Sequence, residues 1–136
     1  MIRSLDQMVE KVLSLHKKHR IAVAWSQDIN TISAIHKAVN YGLANATMIG
    51  KSSEIKSLCR KAGIDHELFT ILDSDDEVKA SSEAVRLTRS GEADIAMKGL
   101  VGTDKFLKAV MYKNNGLMLP KAVLSYVCAI ELPAYH

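Results

Sequence analysis

Lys98-Gly99-Leu100-Val101-Gly102-Thr103 is the stretch whose residue types and spacing are best suited to chemistry. One lysine stands where a short apolar run stops, two glycines follow, and a threonine opens an amphipathic segment. A strand ending at Lys98 and a helix starting near Thr103 would aim several backbone N–H groups at one spot, which makes an anion site. Lys98 would hold a phosphate or a developing negative charge there. The spacing matches neither a phosphate-binding G-x-x-x-x-G-K-[ST] loop nor a dinucleotide G-x-G-x-x-G turn. Thr103 reads first as a helix cap and Asp104 as an ordinary first-turn acid.

Other candidates carry weaker signals. Ser26 and Asp28 follow an earlier apolar run and either orient a ligand or cap the next helix. Asp73, Asp75 and Asp76 read as helix-start acids rather than metal ligands, so no metal is expected. His16 and His19 would share a helix face with no third ligand. His36 and His66 have no partner nearby in sequence. Ser125 sits in a β-prone run, where alternation decides whether it faces core or site. No G-x-S-x-G elbow marks it as a nucleophile. Cys59 and Cys128 are far apart and read as buried or inert thiols.

The elements that must position these residues follow from periodicity. Ser4 to about His19 predicts a helix opened by a Ser4-x-x-Gln7 capping box, with Leu5, Met8, Val9, Val12 and Leu13 on one face. Lys17, Lys18, His19 and Arg20 would complement its C-terminal dipole. Ile21–Trp25 is apolar without alternation, as in a strand buried on both faces. A helix from about Ile29 to Tyr41 ends at Gly42, Asn45–Gly50 is a second strand, and Ser52 or Ser53 caps a helix closed by Ala62-Gly63. Glu67–Leu72 is a third strand, Ser74-x-x-Glu77 opens a helix to Arg89, and Asp94–Met97 is a fourth strand. The order α-β-α-β-α-β-α-β-α predicts an α/β fold: a parallel sheet with helices on both faces and ligands beyond the carboxyl ends of the strands. A last β-prone run, 122–132, has no predicted partner after it and is expected to pair with another chain.

Composition bounds the function. The chain has 136 residues, 48% apolar and 24% charged, which suits one domain with a core. A net charge of +3 and 5% aromatic residues fit a small anionic ligand better than nucleic acid. No apolar run is long enough to cross a membrane and the first residues lack a signal-peptide pattern, so a cytoplasmic protein is expected.

Ala93–Val101 with Thr103, Phe106-Leu107-Lys108-Ala109-Val110, Leu124-Ser125 and Glu131-Leu132-Pro133-Ala134-Tyr135 resemble the phosphate acetyl/butyryltransferase family, phosphate butyryltransferases above all. The resemblance implies an α/β/α layered sheet of isopropylmalate-dehydrogenase type with a truncated second domain. It implies acyl transfer between coenzyme A and orthophosphate, in a homo-oligomer. Coenzyme A would be a substrate, with no covalently bound cofactor. Lys98, Gly99, Gly102 and Thr103 would serve the phosphate or coenzyme A, and Ser125 would lie on a strand lining the cleft. Where relatives often have histidine after Leu-Ser, this chain has Tyr126. Where they carry a loop arginine, it has Lys121, a charge without a bidentate fork. The family's later segment with its catalytic serine, arginine and aspartate is not matched. The alternative is a non-catalytic ligand-binding or assembly module that keeps the fold. An unrelated nucleotide binder is disfavoured by the missing glycine fingerprint.

Overall fold

The computed structural model describes residues 1–133. Five helices, α1 (Leu5–Ser14), α2 (Ile29–Asn40), α3 (Ser52–Lys61), α4 (Glu77–Arg89) and α5 (Thr103–Met111), alternate with four strands, β1 (His19–Ala24), β2 (Ala44–Gly50), β3 (Thr70–Asp73) and β4 (Ile95–Lys98). All three strand pairings are parallel, in the order β3-β2-β1-β4. The predicted alternation and α/β class are thus what forms.

Alternation along β1 builds a core on each face. Ile21 and Val23 meet Ile32 and Ile35 of α2 and Ile55 and Cys59 of α3. Ala22 and Ala24 point the other way, to Ala80, Ala84 and Leu87 of α4. Alanine on both sides lets α4 come close to the sheet, whereas branched and longer side chains fill the wider α2/α3 layer. Burial also pushes the Cys59 thiol above its usual range.

Helix starts and stops differ from the sequence expectation in ways with local causes. Ser4 caps α1 as expected, its Oγ accepting from the Gln7 N–H. The helix ends at Ser14 because Leu15 caps it and His16 turns left-handed, at φ 52°. His19 and Arg20 therefore belong to β1, and His16 and His19 share no helix face. The Arg20 guanidinium instead grips Asp94 before β4, and Arg20 and Asp94 also exchange backbone contacts. Those hydrogen bonds hold the Asp94 carboxyl well below the usual carboxylate range. Residues 66–68 form a turn of 3₁₀ helix, so β3 starts only at Thr70. α4 is capped by Asp76, which accepts from the Lys79 N–H, rather than by Ser74.

Two regions stay outside the core. No residue of α1 is buried, so its predicted apolar face is not packed into the core. The predicted strand at 122–132 does not form either: it is exposed and has no ladder, with Val123 at 88% and Val127 at 90% exposure. No sheet edge lies against it to pair its backbone. It lies near the start of α1, where the Leu5 N–H donates to the Glu131 carboxylate at 2.8 Å and Leu5 and Met8 line a shallow pocket with Ala129 and Ile130. Cys59 is buried and Cys128 exposed, and neither is in a disulfide. Of the family-like terminal residues, Ala134 and Tyr135 lie outside the described residues.

Candidate functional site

β1 lies between β2 and β4, so the chain crosses in opposite directions from its carboxyl end. That topological switch point is where a parallel sheet opens a crevice. Three turns meet there, after Ala24, Gly50 and Lys98.

The turn after β1 is the tightest. Trp25 is held left-handed at φ 57°, a conformation that strains a bulky side chain by about 1–3 kcal/mol. Its neighbours hold it. The Gly99 N–H donates to the Ala24 carbonyl at 2.9 Å and the Leu100 N–H to the Trp25 carbonyl at 2.8 Å. The Ser26 N–H reaches the Ile49 carbonyl at 3.0 Å. Gly99 is required by this approach: a Cβ there would stand 2.6 Å from the Trp25 carbonyl oxygen. On the other flank Gly50 makes room for the Gln27 side chain, whose Oε1 accepts from the Lys51 N–H.

Lys98, in register with Ala24, ends β4. Its ammonium donates to the Val101 carbonyl at 2.8 Å and the Gly99 carbonyl at 3.2 Å. The lysine thus clasps the glycine turn from inside and leaves the turn's N–H groups directed elsewhere. Val101 is fully buried and anchors the loop to the α4 layer. Thr103 is the first residue of α5 rather than its cap; Gly102 takes that position and no side chain caps the helix. The uncapped start leaves N–H groups for an anion, and Asp104 stands in its first turn. Farther along α5, the Lys105 ammonium pairs with Glu77, tying α5 to α4.

Not every predicted residue joins this group. Ser26 is fully buried and its hydroxyl donates to the Ile49 carbonyl at 3.2 Å, a structural role. Asp28 caps α2, accepting from the Thr31 N–H at 2.9 Å and the Thr31 hydroxyl at 2.8 Å. Asp73 accepts from the backbone and hydroxyl of Ser52 and so closes the start of α3 across the sheet edge; these bonds lower its carboxyl. Lys51, not Ser52 or Ser53, is the residue before that helix. Asp75 pairs with Lys79, and no group of three or more His, Cys, Asp or Glu side chains is arranged to hold a metal among the described residues. His36 is in hydrogen-bond contact with Asn40. Ser125 and Lys121 lie in the exposed extended segment, Lys121 left-handed at φ 62°, and neither side chain bonds to the Lys98 turn.

Sequence reasoning marked the ends of β1 and β2 as ligand-facing but gave no role to the two side chains that meet there. The Lys51 ammonium lies 5.9 Å from the centre of the Trp25 ring. Trp-Ser-Gln contains no glycine or asparagine to signal a left-handed turn, so the placement of the indole was not legible.

Comparison with known proteins agrees with this architecture. Residues 4–89 match the family described as phosphate acetyl/butaryl transferase. The phosphate butyryltransferase of Clostridium acetobutylicum is 38% identical over 131 residues, covering 96% of this chain and 43% of that protein. The phosphate butyryltransferase of Clostridium beijerinckii is 33% identical over 135 residues, covering 99% of this chain and 44% of that protein. The chain therefore spans less than half the length of these curated relatives. The crystal structure of a phosphotransacetylase from Streptococcus pyogenes shares the fold, with a TM-score of 0.67 and 16% identity over 79% of this chain and 42% of that one.

Proposed function

The chain belongs to the phosphate acetyl/butyryl transferase family, and from that premise we propose that its carboxyl-edge turns serve acyl transfer between coenzyme A and orthophosphate, with butyryl as the acyl group. A phosphate oxygen attacks the carbonyl carbon of butyryl-CoA, a tetrahedral oxyanion forms, and the C–S bond breaks to release the CoA thiolate and butyryl phosphate. Catalysis of this step needs a held phosphate and a stabilised oxyanion. The supporting observation is the turn from Lys98 to Thr103, seated on β1 at the switch point and leading into an uncapped helix. Gly102 and Thr103, at the uncapped start of α5, supply N–H groups for the anion, whereas the Gly99 N–H is taken by the Ala24 carbonyl and Gly99 serves the close approach of the turn. Lys98 acts through the turn, as the residue that fixes its shape, and its charge favours the anion nearby.

Coenzyme A is a substrate in this reading and no group is covalently bound. Acyl-CoA and phosphate are the partners, and their metabolic setting makes the cytoplasm the working place. Among the described residues no helix is long and apolar enough to cross a membrane. We further assign self-association to the exposed apolar side chains of α1 and of 122–132, to be read by sedimentation across a concentration series.

Turnover of butyryl-CoA and phosphate, followed by thiol release, tests the reaction. Lys98→Ala is expected to lower kcat/KM by about a hundredfold to a thousandfold, the range for losing an element of a charge-stabilising site. An unchanged rate removes Lys98 from the site. Binding of coenzyme A and butyryl phosphate without turnover would instead establish the non-catalytic module.

A further inference from the structure

We propose that Trp25 and Lys51 form a ledge that takes the adenosine-phosphate end of coenzyme A, on the β2 side of the crevice. The inference rests on the acyl-transfer reading and adds to it which end of the substrate lies where. Trp25 is the single tryptophan of the chain. It sits at the carboxyl edge of the central strand, partly exposed and seated on the α4 layer. The glycine contact and backbone hydrogen bonds described above hold its strained turn, so the indole is presented by a rigid frame.

Lys51 supplies the charge. Its ammonium lies 5.9 Å from the ring centre, and its partner Glu54 is 3.4 Å away, with both side chains about half exposed. A surface pair of this kind is weak and easily exchanged for a phosphate. The ammonium stands over the indole, and a planar ring that carries a phosphate would take that face as the exposed Lys51 side chain swings from the ring to the phosphate. Free phosphate and acyl phosphate have no ring, and the pantetheine arm has neither feature; the nucleotide end of coenzyme A has both. The ledge lies next to β2, whereas the Lys98 turn lies next to β4. The ligand would therefore lie across the end of β1, its nucleotide over Trp25 and its thiol end toward Lys98.

The indole reports on its own site. The 136-residue chain is titrated with coenzyme A, adenosine bisphosphate, pantetheine and inorganic phosphate, with tryptophan fluorescence and calorimetry read together. Coenzyme A and adenosine bisphosphate are expected to change the emission, while pantetheine and phosphate leave it unchanged. Lys51→Ala is expected to weaken coenzyme A binding roughly tenfold, with partial recovery in Lys51→Arg. The Lys51 side chain caps no helix, so circular dichroism of Lys51→Ala should match the parent. Calorimetric binding of coenzyme A with unchanged emission and unchanged affinity in Lys51→Ala would overturn the ledge and leave the acyl-transfer reading standing. Absence of coenzyme A binding to the parent chain at millimolar concentration would overturn both.

Discussion

The carboxyl edge of the sheet and the pair formed by α1 and residues 122–132 are built on opposite terms. At the edge, backbone meets backbone so closely that Gly99 has no room for a methyl group, and every turn is held by its neighbour. At α1 and 122–132, side chains as apolar as any in the core stand in solvent: Leu5 and Met8 are about half exposed, Tyr126 almost wholly so. The first arrangement stores its stability in shape, the second leaves apolar area to be covered. A sequence pattern records apolar residues in both and cannot tell them apart. What separates them is whether a partner surface lies within reach.

Mutation should divide the two regions sharply. Met48 and Ile55 are wholly buried, and alanine at either should cost about 2–5 kcal/mol in urea unfolding. Alanine at Leu5 or Val127 should stay within about 0.5 kcal/mol for the dilute chain. A large loss at Val127 would mean that 122–132 is packed in solution. The glycines give the next effect. Gly99→Ala forces a Cβ against two backbone carbonyl oxygens and should cost about 1–3 kcal/mol. Gly102→Ala meets only the movable Asp104 carboxylate, so it should fold nearly as the parent does. Equal losses at both glycines would show that the turn is looser than its hydrogen bonds imply.

The smallest effect is electrostatic and depends on pH. The Asp94 carboxyl is depressed in the fold by Arg20, so its stabilisation is present above the unfolded value near 4 and fades as pH falls below it. Asp94→Asn should therefore be less stable than the parent at neutral pH, with the difference closing in acid. The same gap at every pH would assign the loss to packing at the start of β4 rather than to charge.

The order of elements was legible because each strand is short and apolar and each helix has a clear period. Boundaries failed where tertiary contacts overrode local signals. The Lys17–Arg20 cluster reads as a helix C-terminus, yet Arg20 is taken by Asp94, far along the chain. Ser74-x-x-Glu77 satisfies the capping pattern, but Asp76 lies two residues closer to the helix and caps it through the Lys79 N–H. The geometry of the candidate site was half legible. Lys98 and its glycines stand together in sequence, so their turn was visible. Its inward clasp was not, because the direction of a lysine depends on which carbonyls the fold turns toward it. Trp25 and Lys51 are brought together only by the pairing of β1 with β2.

The position of β1 in the middle of the sheet also sets an order of assembly. Arg20 and Asp94 are 74 residues apart, so the free edge of β1 stays open until β4 has been made. Local βαβ closure of β1, β2 and β3 is entropically cheaper and comes first. On a ribosome, a nascent chain ending before Ile95 would present an unprotected central strand to its neighbours. The crevice would then be the last part of the sheet to form, and the rate of its closure, rather than the stability of its turns, would govern how much chain escapes aggregation.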